Sequence, residues 1–343
     1  MEKGHKVIVI TEVYQSKGKS AKVAGETGGI KIYRIPVGRE NWSKKFRIWW
    51  QLLKLKEIIR DADIVHCHDV FFWYLIFRFL YPKKAVYTTF HGYEDYPIPK
   101  KAILVRKISE YLSMGNICVG DFITKWYGTN PSFVIYGGVD IKTQNSKLPT
   151  SPLRSFSEGG LSGAGKTQNH SSKLKIVFIG RLDSQTGIMK YLKALKILKE
   201  KKYEFKLDVF GDGIKYAKCK EFCSKYNLNV EFHGFVNNAT DFLVESDWVF
   251  VSRYLGILEA MAAKRLVFAV YDNPIKKDYL QRTPFSKLII IANSKEEIFS
   301  KAKYFLENPE EEKKIIDKAY NWVKDQTWEK VNETYMDLWY KKK

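Results

Sequence analysis

KLKIVFIGRLDSQTG, residues 173–187, is the stretch whose reading decides the fold. Its first half runs from Lys173 into a compact apolar block that ends on Gly180, the pattern of a buried strand. The glycine opens into Arg181, Leu182 and a polar turn closing at Gly187, so the segment predicts strand, turn and helix. This places the Arg181 guanidinium at the carboxyl edge of a sheet, where open α/β folds bind ligands. Further along, Val249–Ser252 reads as a second buried strand, with Glu259 in the first turns of the helix behind it. A fork of donors and a carboxylate on neighbouring loops suit a nucleoside diphosphate, Arg for the phosphates and Glu for the ribose hydroxyls. The plainer readings are a surface ion pair for Arg181 and a dipole-stabilising helix-start carboxylate for Glu259.

Size and composition set the frame. A chain of 343 residues, 45% of them hydrophobic, buries large cores and predicts two domains. No leader pattern is read at its start, and no apolar stretch reaches the roughly 20 residues that span a bilayer. Val70–Phe77 stops at Arg78 and reads as a buried helix of the first domain. Cys67, Cys118, Cys219 and Cys223 are too scattered for a disulfide framework, which fits a reduced cytoplasm. Cys219 and Cys223 share one helical face but lack the further ligands of a zinc site.

The net charge is +20, from 58 Lys and Arg against 38 Asp and Glu. Nucleic acid, an anionic membrane surface and an anionic substrate are all compatible with that excess. The lysines are spread over helices without a nucleic-acid motif, so nucleic acid is set aside. Residues 42–60 form a basic, Trp-rich amphipathic segment. It reads either as a helix packing its Phe, Ile and Leu face on a sheet with Lys in water, or as a peripheral membrane contact.

Strands are predicted at 30–35, 64–67, 86–90, 117–119 and 133–136, then at 176–180, 207–211, 230–232, 249–252, 266–270 and 288–291. Helices fill the intervals, which is the βα alternation of two parallel sheets. Residues 144–172 are rich in Ser, Gly, Thr and Lys without periodicity and read as a flexible linker or insertion. Within it, Gly160–Thr167 matches the P-loop pattern letter for letter. No strand feeds that run and no helix can follow before the next strand, so the P-loop reading is rejected.

These phrases, with Asp63–Asp69, Thr89–Gly92, Ile117–Ile123, Tyr136–Asp140, Phe210–Gly213, Val230–Val236 and Thr327–Glu329, resemble the family 4 (group 1) retaining glycosyltransferases. The resemblance implies an α/β, GT-B fold: two Rossmann-like domains facing across a cleft. The expected domains are 1–143 for the acceptor, 144–172 as linker, 173–325 for the nucleotide sugar, and a helix, 326–343, returning to the first domain. In such enzymes a first strand, a Gly-rich loop and a long helix precede the phrase at Met1–Thr11. The first domain is therefore expected to be incomplete, whether as a fragment or as a degenerate member, with an edge that a partner chain covers.

The resemblance also implies roles. Arg181 pairs with the donor diphosphate; Thr186 stands where a Lys is usual, and Lys190 is a substitute for it. Gly234, Phe235 and Val236 hold the base, while Gly256, Ile257 and Leu258 offer helix-start amides to phosphate and Glu259 takes the ribose. Val251 occupies the place of a first sugar-binding Glu, leaving that contact to Arg253 or Tyr254. His91, at a strand's carboxyl end, is the catalytic candidate. Asp69 and Asp95 are acceptor contacts, with Glu94 beside them. His66 and His68 share one strand face, too few ligands for a metal centre. The expected reaction is metal-independent, needs no cofactor, and moves a sugar from a nucleotide-diphosphate sugar to a glycan or lipid-linked acceptor in the cytoplasm, at the inner face of the membrane. The rival expectation is a non-catalytic, partner-dependent nucleotide-sugar-binding relative.

Overall fold

A computed structural model of the protein describes residues 4–13, 24–38, 42–141, 146 and 173–340. Apart from Ser146, the predicted linker 144–172 and the rejected P-loop run lie outside the described residues. The chain divides into two compact units. One comprises Met1–Gly92, Ile98–Ile117 and Thr129–Ser132; the other comprises Tyr93–Pro97, Cys118–Gly128 and Phe133–Lys343.

The first unit opens with β1 (Ile8–Glu12), β2 (Ala24–Thr27) and β3 (Ile30–Ile35). β1 pairs with β3 in parallel, and β2 returns antiparallel to β3. The sequence reading missed β2. Gly28 and Gly29 form its two-residue turn, both at positive φ, the conformation a tight hairpin of this hand requires. Then come α1 (Lys44–Leu53), α2 (Lys56–Asp61), β4 (Ile64–His68), α3 (Phe71–Leu80), β5 (Ala85–Phe90), α4 (Lys100–Leu112) and β6 (Asn116–Val119). The single helix expected over 42–60 is two helices, broken at Lys54 and Leu55. A four-stranded sheet has the order β4-β5-β6-β7, its last strand being β7 (Phe133–Ile135). β1 and β4 each stand at the end of their sheet. A shared apolar cluster through Ile35, Leu52, Cys67, Phe71, Phe77 and Val86 joins elements of both.

The second unit is a six-stranded parallel sheet in the order β10-β9-β8-β11-β12-β13. Its strands are β8 (Leu174–Ile179), β9 (Phe205–Phe210), β10 (Val230–Gly234), β11 (Trp248–Phe250), β12 (Leu266–Val270) and β13 (Ile290–Ala292). Its helices are α5 (Phe122–Tyr127), α6 (Ile188–Glu200), α7 (Tyr216–Lys225), α8 (Tyr254–Ala262), α9 (Pro274–Gln281), α10 (Lys295–Glu307), α11 (Pro309–Val323) and α12 (Trp328–Tyr340). Alternate residues of β8 feed two cores: Ile176 and Phe178 pack with α6 and α10, Val177 with α8 and α11. Helices on both faces explain why the strands read as unbroken apolar runs. Crucially, β8 and β11 are neighbours, with Phe178 opposite Phe250. Thus the turn carrying Arg181 and the turn into α8 leave the sheet side by side. Cys219 and Cys223 both lie on α7, buried and reduced.

Candidate active site

The carboxyl edge of the six-stranded sheet holds most of the predicted donor residues. Arg181 follows β8 directly; its exposed guanidinium pairs with Asp183 at 3.1 Å. The Thr186 hydroxyl faces inward, 2.6 Å from the Arg181 carbonyl and 3.2 Å from that of Asp183, while its amide donates to the Asp183 carboxylate. It shapes the turn that presents Arg181. The Lys190 ammonium donates to the Tyr271 carbonyl, and burial lowers its pKa. The turn then closes at Gly187, whose φ of +75° starts α6.

On the adjacent strand, α8 begins at Tyr254, earlier than the sequence reading placed it. The Ile257 amide closes onto the Arg253 carbonyl at 2.9 Å, and Leu258 follows inside the helix. Both are therefore corrected as amide donors to phosphate. The first-turn amides of Leu255 and Gly256 are the ones helix geometry leaves without intrahelical acceptors. Gly256 is fixed by packing, because a Cβ there would sit 2.6 Å from Cγ2 of Val251. Tyr254 is unavailable for sugar recognition. Its ring stacks on Tyr279 at 3.9 Å, its hydroxyl donates to the Tyr279 carbonyl, and it is buried. Arg253, at the helix cap, is exposed.

Glu259 is the most telling side chain. It lies on α8 among buried neighbours, and burial raises its pKa. Among the described residues no donor or cation is paired with its carboxylate. A desolvated acceptor without a donor is unfavourable by itself and favourable once ligand hydroxyls reach it. On the loop after β10, Gly234 has φ +71°, Phe235 is 80% exposed, and Val236 joins the core. This pattern leaves an aromatic ring exposed beside a tight turn at the end of β10. Gly211 and Gly213 are close-packed turn glycines: a Cβ on Gly211 would meet the Gly180 carbonyl at 2.0 Å, and one on Gly213 the Leu182 carbonyl at 2.7 Å.

Sequence reasoning missed Lys276. It is fully buried on α9, donates to the Ser252 carbonyl and lies 3.7 Å above the Tyr279 ring. Burial, then the charge of Arg253, pushes its pKa down to about 7. In the sequence it sits in a Lys-Lys pair that looks like solvated helix. The usable signal was Asn273-Pro274, a cap and N1 proline that fix α9 at the end of β12.

His91 and Asp69 belong to the first unit. Asp69 has φ +59°; its amide donates to the Thr89 carbonyl, and its carboxylate accepts from the His91 amide at 3.0 Å. His91 Nε2 lies 2.8 Å from His68 Nδ1, and His66 stacks on His68 at 4.9 Å. Desolvation, then the neighbouring imidazoles, lowers His66 to about 3; desolvation and His91 lower His68 to about 4. Both rings are neutral at pH 7. Asp95 is exposed in the second unit, and Glu94 accepts from the Tyr127 hydroxyl.

Among the described residues, the three-ligand cluster with metal-like spacing is Asp208, Glu231 and His233 on β9 and β10. Lys206 already bridges its two carboxylates at 3.0 and 2.9 Å, so an ammonium occupies the place of a cation.

Residues 164–322 match the family model for group 1 glycosyl transferases, and residues 1–143 match that for glycosyltransferase family 4. No curated protein sequence matches the chain. A glycosyltransferase from Rickettsia africae superposes with a TM-score of 0.69 at 18% identity, covering 98% of this chain and 91% of that one. HepE of Anabaena, solved with UDP and glucose, gives 0.66 at 12%, covering 97% and 100%. WaaG, a glycosyltransferase involved in lipopolysaccharide biosynthesis, gives 0.62 at 13%, covering 99% and 92%. The protein is a glycosyltransferase of the group 1 type with the GT-B fold.

Proposed function

We propose that the protein transfers a sugar, with retained configuration, from a nucleotide-diphosphate sugar to a glycan or lipid-linked acceptor, in the synthesis of cell-surface polysaccharide or glycolipid. The observation that carries this reading is Glu259, a largely desolvated carboxylate without a donor among the described residues, on the helix that follows the strand next to Arg181. In this mechanism Glu259 accepts from the ribose hydroxyls. Arg181 and the first-turn amides of α8 neutralise the leaving diphosphate, a form of charge stabilisation worth about 10²–10³ in rate per donor removed. The acceptor hydroxyl attacks on the face the diphosphate leaves, and that phosphate takes its proton. His91 hydrogen-bonds the transferred sugar, while Asp69 positions the His91 backbone and Asp95 contacts the acceptor. No metal or cofactor enters this scheme. The acceptor is reached from the inner face of the membrane, with α1 as the contact.

A second reading, a nucleotide-sugar-binding relative that needs a partner chain to complete its first unit, is favoured by Val251 in place of a carboxylate and by the inward Thr186. Titration with UDP and a panel of nucleotide sugars, alongside a transfer and hydrolysis assay, separates the two. Glu259→Ala is expected to weaken binding 10–100-fold, as loss of a charged hydrogen-bond acceptor does. Binding without turnover selects the second reading; unaltered affinity in Glu259→Ala rejects both.

A further inference from the structure

Helix α4 is built inside out. The residues it buries are Arg106 and Ser109, at 6% and 4% exposure, whereas Leu104, Ile108 and Tyr111 stand 61%, 43% and 87% exposed. Spacings of four and three put those three on one helical face, opposite the buried pair. The inversion is held from within: the Arg106 guanidinium donates to the Gly92 carbonyl at 2.8 Å and lies 5.1 Å from the Phe90 ring. A helix that pays to bury a guanidinium while showing leucine and isoleucine to water has its apolar face reserved for another medium.

The same unit repeats the pattern on α1. Ile48 and Leu52 face the core, while Phe46 and Trp50 on the helix are 59% and 65% exposed and Trp42, in the turn just before it, is 84% exposed. Of the two readings of this segment, the one that leaves its solvent side to lysine does not account for these exposed aromatic residues. α3 packs against both α1 and α4, and its last turn exposes Phe79. Lys45 on α1 and Lys100, Lys101 and Lys107 on α4 are exposed around these faces.

We infer that α4, together with α1, docks on an anionic lipid bilayer, inserting Leu104, Ile108 and Tyr111 at the level where Trp42, Phe46 and Trp50 enter. Aromatic and aliphatic tips ringed by lysine on a chain of net charge +20 match a negatively charged interface in both its apolar and its ionic layer. This deepens the membrane contact proposed above for α1 by assigning it a second, independent element.

The test is co-sedimentation of the full chain with vesicles of phosphatidylglycerol and phosphatidylcholine, and with phosphatidylcholine alone. The anionic vesicles are expected to bind the chain, and the paired variant Leu104→Glu with Ile108→Glu to bind at least tenfold more weakly, as is Trp50→Glu. UDP affinity, read in parallel, is expected to be unchanged and certifies folding. It also separates the two ideas: a chain that ignores UDP but binds vesicles fails as a transferase only. As a second measurement, Tyr111→Cys carries a polarity-sensitive thiol label, selective because the four native thiols are buried. Its emission is expected to shift to the blue on anionic vesicles. Unchanged vesicle binding by the α4 variant, an unshifted label, or a dimer that the α4 variant splits while vesicles are ignored overturns the inference.

Discussion

The two units solve the same βα problem differently. In the second, six parallel strands make one sheet whose inner strands β11 and β12 are buried throughout. In the first, the strands fall into two sheets, and the terminal strands β1 and β4 are mostly half-buried. A sheet covered on both faces determines its surroundings firmly enough to hold ionisable groups away from water, as it does Lys276 and Glu259. The first unit keeps its titratable cluster, His66, His68 and His91, at a strand end that reaches solvent. Its largest exposed apolar faces lie on the helices α1 and α4.

The sharpest way to break this comparison is Gly187→Ala. A Cβ there would lie 2.1 Å from Cγ2 of Val270, on a backbone at φ +75°. Left-handed strain and overpacking together cost about 3 kcal/mol. Urea unfolding is expected to show a transition of the second unit moving while that of the first stays in place. A single transition that moves as a whole would mean the units do not act separately.

Lys276→Met tests the tolerance of the six-stranded sheet for buried charge. The folded-state pKa of Lys276 is depressed to about 7, so between there and 10.5 the unfolded chain binds more protons. The burial cost is full below pH 7 and relieved as pH rises towards 10.5, a change of a few kcal/mol. Thermal melts of the wild-type protein are expected to gain stability across that window, with the gain much reduced in the variant.

Glu259→Gln removes a charge that has no partner among the described residues. About 1 kcal/mol of added stability is expected together with weakened UDP binding, the trade typical of a functional site. Calorimetry reads both; stability unchanged or lowered would show a partner that supports the carboxylate in the folded protein.

The smallest effect belongs to the first unit. His66 and His68 titrate at about 3 and about 4 when folded and near 6.5 when unfolded. Their contribution is present above pH 6.5 and lost as pH falls towards 4. His68→Gln is expected to flatten the acid limb of the stability profile slightly, while leaving the alkaline window governed by Lys276 untouched.

Much of this was legible in the residues. Apolar runs located β8, β9 and β12, the first two ending on glycine, because burial on both faces erases alternation and leaves a continuous signal. Arg181 was placed at the end of β8 because strand ends in such sheets are predictable, whereas Glu259 drew attention through the family resemblance of its phrase. Other features lay beyond pattern. β2 contains too few apolar residues to announce itself, and its turn glycines looked like a loop. The start of α8 depends on Tyr254 docking on Tyr279, a contact between residues whose closeness only the folded sheet creates.

The sequence by itself determined a doubly wound second unit and the order of the turns at its strands' carboxyl ends, since local periodicity and turn chemistry act over a few residues. Only the tertiary structure decided that Thr186 faces its own turn, that Lys276 is buried, and that α4 turns its apolar side outward. Each of those depends on which solvent or neighbour a side chain meets, and that is set by packing between segments far apart in the chain.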